Sequence, residues 1–238
     1  MELRFMTWLD VAEYLEHDDR LILPIGSVEQ HGPRCIFGTD YLIAEALGKK
    51  AAESTRTIVA PSPAYGMSIH HLGFAGSATL KPSNMIRAYK DILWSFRQAG
   101  FKRIFIINGH GANASTINCL LAQISNQWQE MKFKFKNWWD FSEVTAYIDN
   151  AFGTREGKHG TPGETSMIMY LHPGVVREDR ELKFREVPEL QYFVNYAEFR
   201  RLYPDGLIGA DPALATAEHG EKIFNTCLQQ LIREMSNW

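Results

Sequence analysis

"RIFIINGHGANASTINCLLAQISNQWQEMKFKFKNW", residues 103–138, decides the fold. Its β-branched and aromatic opening, "RIFIIN", predicts a strand. Gly109 and Gly111 interrupt it, "ASTINCLLAQISNQWQEM" predicts a helix, and "KFKFKNW" predicts a second strand. Two strands separated by a helix point to parallel pairing, because parallel neighbours need a crossover of about a dozen or more residues. The segment is therefore one strand–helix–strand unit of a parallel sheet.

The alternation extends in both directions. Upstream, "TWLDVAEYLEHDD" places Trp8, Val11, Tyr14 and Leu15 at helical spacing behind a Thr7 cap. "RLILPIG" reads as a strand, "TDYLIAEALGKKAAE" as a helix capped by Thr39 or Asp40, and "TIVAPS" as a strand ended by Pro61. "NMIRAYKDILWSFRQAG" predicts a helix stopped by Gly100. Downstream, a Gly-rich loop over about 150–163 feeds a helix in "ETSMIMYL". Residues 173–210 read as a loop excursion, and a long amphipathic helix begins at Asp211 and Pro212. The expected architecture is α/β: one domain over residues 1–238, with a mostly parallel central sheet flanked by helices on both faces.

Composition narrows the function. The net charge of −3, with Lys and Arg scattered among acids, offers no basic field for nucleic acid. No apolar run approaches the roughly 20 residues of a spanning helix, and the charged N-terminus does not read as a signal peptide. A soluble, cytoplasmic protein without membrane or nucleic-acid partners is expected. Three cysteines, Cys35, Cys119 and Cys227, form no CxxC pair, so reduced thiols are expected, with Cys119 and Cys227 on apolar helix faces.

Chemistry gathers at the strand ends, where open α/β sheets bind ligands. Glu29 and His31 follow the first strand at a spacing of two, which in extended backbone points both side chains the same way. Asp40 opens the next helix, and His110 stands between Gly109 and Gly111. Such a His and carboxylate set suits zinc, manganese or ferrous iron. His159 and Glu164 follow in "KHGTPGETS", where Glu164 could instead complement the helix dipole. A loop His159 suits proton transfer. His70 and His71, if on a strand, would face opposite ways, while His17, His172 and His219 carry no chemistry. "INGHGANAS" could alternatively cradle a phosphate, and Cys35 could be a nucleophile short of a base.

With "LPIGSVEQHGP", Asp40 in "GTD", "FAGSATL", "NGHGAN", "HGTPGETS" and "GLIGADPALATAEHG" in this order, the sequence resembles the creatininase (creatinine amidohydrolase) family over nearly its whole length. The resemblance implies two divalent ions on Glu29, His31, Asp40 and His110, with Asp40 bridging and Glu164, itself a metal ligand, completing the coordination of the second ion. It makes His159 the proton shuttle and implies a homo-oligomer, commonly a hexamer. Creatininase itself carries a metal-binding Glu where Ala112 stands, and an aromatic residue and an acid for creatinine where this chain has "TREGK".

The expected reaction is hydrolysis of a non-peptide C–N bond, in a cyclic amide or a formamide, by a water bridging two ions roughly 3.5–4 Å apart. A FAPy-type deformylase acting on a formylaminopyrimidine nucleotide is the alternative, and Arg34, Arg155 and Lys158 hint at an anionic substrate group. A non-catalytic metal- or nucleotide-binding module is the third reading.

Overall fold

Leu21, Leu23 and Ile25 of strand β1 (Arg20–Ile25) enter one apolar core, and Ile22 enters another on the opposite side of the sheet. The same division holds in β3 (Arg103–Asn108), with Ile104 and Ile106 on one side and Phe105 and Ile107 on the other. A strand covered on both faces reads as a continuous apolar run, which is what "RLILPI" and "RIFIIN" are. The computed structural model describes residues 1–187 and 193–238. Its sheet has the order β2-β1-β3-β4, all pairs parallel, with β2 at Ile58–Val59 and β4 at Lys132–Asn137.

One face is covered by α2 (Thr39–Thr55), α5 (Ser142–Phe152), α6 (Pro162–Leu171) and α8 (Ala217–Ser236). The other carries α1 (Trp8–Leu15), α3 (Pro82–Ala99) and α4 (Asn113–Gln127). The parallel sheet between two helical layers is the expected one. Among the described residues, no helix is long and apolar enough to cross a membrane.

Pro24 sits in a central strand, where a missing N–H usually costs a ladder bond. Here it does not. Ile22 accepts from Ala60 N–H on the β2 side, so Pro24, two residues on, also faces that side, beyond where β2 has ended.

Several boundaries differ from expectation. The second strand shrinks to two residues, because Pro61 follows so soon. Helix α2 is capped by Gly38, which leaves the Asp40 carboxylate free of capping duty. Helix α5 was not expected, although Val144, Ile148 and Phe152 repeat at a spacing of four and are all buried. Helix α8 starts at Ala217 and not at Asp211: Asp211 and Pro212 open a 3-10 turn, and Thr216 caps the helix by accepting from His219 N–H. The 173–210 excursion holds a short helix, α7 (Tyr196–Leu202), and its residues 188–192 lie outside the described residues. Trp8 lies 77% exposed, while Val11, Tyr14 and Leu15 pack inward. Cys119 is exposed, not core, because Ile117, Leu120, Leu121 and Ile124 define the inner face of α4. Cys227 is buried as expected.

Two glycines place the start of α2 against the strand ends. A methyl group at Gly109 would collide with the Asp40 carbonyl oxygen, and one at Gly26 with the backbone of Tyr41. Asp40 is thereby lodged between the ends of β1 and β3. Gly109→Ala should destabilise the fold by about 1–3 kcal/mol, measured by denaturant unfolding; unchanged stability would show that the helix start can move away freely.

Candidate metal centre

The loop after β1 delivers Glu29 and His31, the loop after β3 delivers His110, the first turn of α2 delivers Asp40, and the first turn of α6 delivers Glu164. All of these converge with His159. Glu29, His31, Asp40, His110 and His159 are buried, and Glu164 is partly so. Asp40 is the hub: its Oδ1 lies 2.9 Å from His31 Nε2 and its Oδ2 lies 3.2 Å from His110 Nδ1. Glu29 Oε1 lies 3.1 Å from His110 Nδ1, and Glu164 Oε1 lies 3.9 Å from His31 Nε2.

Two groups that could hold a cation therefore share Asp40, namely Glu29–Asp40–His110 and His31–Asp40–Glu164. A third, Glu29–His31–His159, overlaps them.

Hydrogen bonds fix which imidazole nitrogens face inward. His31 Nδ1–H donates to the Glu29 carbonyl (3.1 Å), and His110 Nε2–H donates to the Met67 carbonyl (2.9 Å). Each ring thus directs its other nitrogen at the carboxylates, where it can hold a proton or, once that proton is lost, a cation, the arrangement that metal-binding histidines adopt. Both oxygens of Glu29, Oδ2 of Asp40 and Nε2 of His31 are buried without any hydrogen-bond partner. Acceptors desolvated and left unpaired in this way are costly unless a cation satisfies them. The residues present fit a divalent cation.

Electrostatics agree. Burial opposes charge on His31, yet Asp40 and Glu164 lift it well above the usual imidazole range; burial likewise opposes charge on His110, which Glu29 and Asp40 lift. Glu29, despite burial, is held well below the usual carboxylate range by His110. In the metal-free protein, protons on the two imidazoles balance the acids.

Glu164 serves the start of its helix and still faces the cluster. Its Oε2 accepts from Thr161 N–H (2.9 Å), while Thr161 Oγ1 accepts from Glu164 N–H (3.0 Å), a capping box that leaves Oε1 facing His31. His159 Nε2–H donates to the Gln30 carbonyl (2.6 Å), so its bare Nδ1 faces Glu29 Oε1 at 3.5 Å. Burial, followed by the neighbouring His31, pushes the His159 imidazole down to about 4. A neutral ring with a bare nitrogen at the site is equipped to take up a proton.

Above these groups opens a cavity of about 530 Å³, walled by Trp138, Trp139 and Ile148 and bordered by Glu156 and Lys158. Burial pushes the Glu156 carboxyl up to about 7. Of the three basic residues expected near an anionic group, only Lys158 lines this cavity. Arg34 donates to the Arg180 carbonyl, and Arg155 is paired with Asp211.

The phosphate-cradle reading of "NGHGAN" finds little backbone to build on. The N–H groups of Gly109, His110, Asn113 and Ala114 are all used within the protein, by Ile25, Asn108, His110 and Gly111. Cys35 contacts Thr39, and burial raises its thiol, which disfavours the thiolate that a nucleophile needs.

The residue-level reading missed His71 and Gln30. The pair His70–His71 lies in a 3-10 turn, Ile69–Gly73, not on a strand, and His71 is buried with its Nε2 3.5 Å from Glu29 Oε1. Nothing in the spacing of "MSIHHLGF" places that turn over the site; the contact depends on Phe199 of α7 packing against both rings. Trp139 was equally unmarked, since no periodicity tells a cavity wall from a core aromatic.

The family model described as "Creatininase: Creatinine amidohydrolase" matches residues 4–235. A creatinine amidohydrolase of Pseudomonas putida is 27% identical, with 94% of this chain and 92% of that protein covered. A mycofactocin precursor peptide peptidase of Mycobacterium ulcerans is also 27% identical, over 92% of this chain and 85% of the relative. Among solved structures, a manganese form of creatininase and a mutant creatininase of the Zn-Zn type each superpose with a TM-score of 0.86 at 26% identity, covering 99% of this chain and 97% of theirs.

Proposed function

The chain belongs to the creatininase family of amidohydrolases, and from that premise we propose that it hydrolyses a non-peptide C–N bond in a small cyclic amide or formamide. Two divalent ions, zinc, manganese or ferrous iron, would be held by Glu29, His31, Asp40, His110 and Glu164. The single observation that carries this reading is the double-sided Asp40, whose two oxygens face two separate His-and-carboxylate groups. Relatives of known form, a Zn-Zn and a manganese creatininase, support the choice of metals. Bound there, the ions supply a water acidified from a pKa of about 15.7 toward about 7, and polarisation of the scissile carbonyl.

The chain's own residues do the rest. His31 and His110 are locked by backbone carbonyls in the tautomers that present a lone pair. His159, anchored through Nε2–H, carries a proton on Nδ1 from the attacking water to the leaving nitrogen. Trp138, Trp139 and Ile148 shield the reacting carbonyl from bulk solvent and suit a flat, compact substrate. The nucleotide alternative gains only Lys158, so the cyclic amide or formamide reading stands ahead of it.

The deciding experiment is metal analysis of protein purified without chelator, followed by a screen of cyclic amides, formamides and short peptides; peptides are included because of the peptidase relative. About two equivalents of metal and turnover lost to chelator and restored by zinc, manganese or iron are expected. Chelator-resistant turnover would reject the scheme. The homo-oligomer belongs to the same proposal and is checked by sedimentation of the loaded protein.

A pH dependence follows from the linked protons. His31 and His110 are raised, so their contribution to metal-free stability is complete below about pH 6.5 and is lost as pH rises through their folded values. Glu29 is lowered, so its contribution is complete above about pH 4.3 and is lost as pH falls through its folded value. Metal-free protein is therefore most stable between these limits. Ions must displace the protons on His31 and His110, so the rise in Tm on adding zinc should grow from about pH 6 to about pH 8. A gain independent of pH would contradict the assigned ligands.

A further inference from the structure

Gln30 lies between Glu29 and His31 in sequence and is buried. Its amide orientation is fixed by two backbone groups that admit no ambiguity. Gly32 N–H donates to Oε1 (2.8 Å), so that atom is the oxygen; Nε2 donates to the Gly206 carbonyl (2.9 Å), so that atom is the nitrogen. Gly206, at φ +83°, is required for this approach, because any side chain there would collide with the Gln30 amide.

One N–H of the Gln30 amide remains, and two imidazole nitrogens lie 3.0 Å from it: His71 Nδ1 and His159 Nε2. The His159 nitrogen carries its own hydrogen, since it sits 2.6 Å from the Gln30 carbonyl, which can only accept. The remaining N–H must therefore go to His71 Nδ1, which accepts. A neutral imidazole that accepts at Nδ1 carries its hydrogen on Nε2. That Nε2 lies 3.5 Å from Glu29 Oε1.

His71 is thus unlike the other imidazoles of the centre. His31 and His110 turn inward the nitrogens that a cation would take, and His159 a bare one; His71 turns inward an N–H that its contact with Gln30 fixes. It is held in place by ring packing, against His159 at 4.2 Å and edge-on to Phe199 at 5.0 Å between centroids.

We propose that Gln30 and His71 form a positioning pair, in which the Gln30 amide sets the tautomer of His71 so that His71 aims an N–H at Glu29 and holds that carboxylate toward the cation site. The proposal rests on the metal reading above. Its consequence is that His71 contacts the carboxylate without serving as a ligand, although it is as close to Glu29 as His159 is.

The test uses 15N-histidine-labelled full chain, with long-range 1H–15N correlations recorded on chelator-stripped and zinc-loaded samples. The His71 signals, identified by their loss in His71→Leu, should show the Nε2–H form in both. In Gln30→Glu the carboxylate only accepts, so the His71 proton moves to Nδ1. With the N–H withdrawn from Glu29, zinc affinity, measured against a chromophoric chelator, should fall by about 10–100-fold. His71→Leu should lose affinity similarly, whereas His71→Gln, which can still offer an N–H to Glu29, should keep most of it.

An Nδ1–H form in the wild-type protein would overturn the proposal. So would zinc affinity unchanged in both Gln30→Glu and His71→Leu. Should Gln30→Glu not fold, the His71→Leu and His71→Gln contrast still decides. Failure of the underlying metal reading shows separately, as a wild-type chain that takes up no zinc, because the tautomer is read on stripped protein.

Discussion

Asp40→Asn should reduce bound metal from about two equivalents to one or fewer, and should bring turnover down to the level of chelated enzyme. The substitution keeps the shape of the side chain and its place in the first turn of α2, so folding is spared. What it removes is the charge shared by the two groups. Asp40 Oδ1 faces His31 and Oδ2 faces His110, so Asp40 is the residue that the two groups share. An amide can present one oxygen, and its NH₂ would turn two donors toward a cation or toward an imidazole. Loss of the acidified water, whose pKa falls by about 8–9 units on coordination, removes the source of hydroxide at neutral pH on which the proposed reaction depends. Turnover below about 1% of wild type is expected on any substrate the screen identifies. Two equivalents retained with full turnover would remove Asp40 from the centre and with it the two-ion reading.

The fold and the gathering of Glu29, His31, Asp40 and His110 at the strand ends are legible for one reason: both are written in local sequence. Strands β1 and β3 are apolar runs covered on both faces, and the helix between β3 and β4 dictates parallel pairing. Glu29, His31 and His110 immediately follow those strands, and Asp40 and Glu164 open helices, so their convergence follows from the sheet topology. Helix α5 has a readable spacing of four, but it lies between the "KFKFKNW" strand and the glycine-rich loop, in a stretch to which the sequence reading assigns no element. The role of Gln30 and His71 is of another kind. It depends on Gly206, Phe199 and the 3-10 turn at Ile69–Gly73, which meet only in three dimensions across a sequence separation of more than a hundred residues. Arg34 and Arg155 were misread for the same reason: a basic residue near a motif says nothing of Arg180 or Asp211, the distant partners that take their hydrogen bonds.

His159→Ala should keep its metal while turnover falls by about 10²-fold or more. The ring is tied down at Nε2 by the Gln30 carbonyl and is neutral, because burial and then His31 push it down to about 4. It therefore presents Nδ1 as a base, beside Glu29 Oε1 at 3.5 Å. Alanine removes the proton carrier but leaves the two groups built on Asp40 intact, since neither includes His159. The third group does include it, which is why metal content is the discriminating measurement. If His159→Ala protein binds one equivalent fewer than wild type, His159 is a ligand, and proton delivery falls to another residue at the cavity. Glu156, held up at about 7 by burial and lining the same cavity, would then be the group to substitute next. If metal is retained and added imidazole restores part of the turnover, the lost function is proton transfer at that position and not the shape of the cavity, because a free base can replace a missing proton carrier but cannot rebuild a wall.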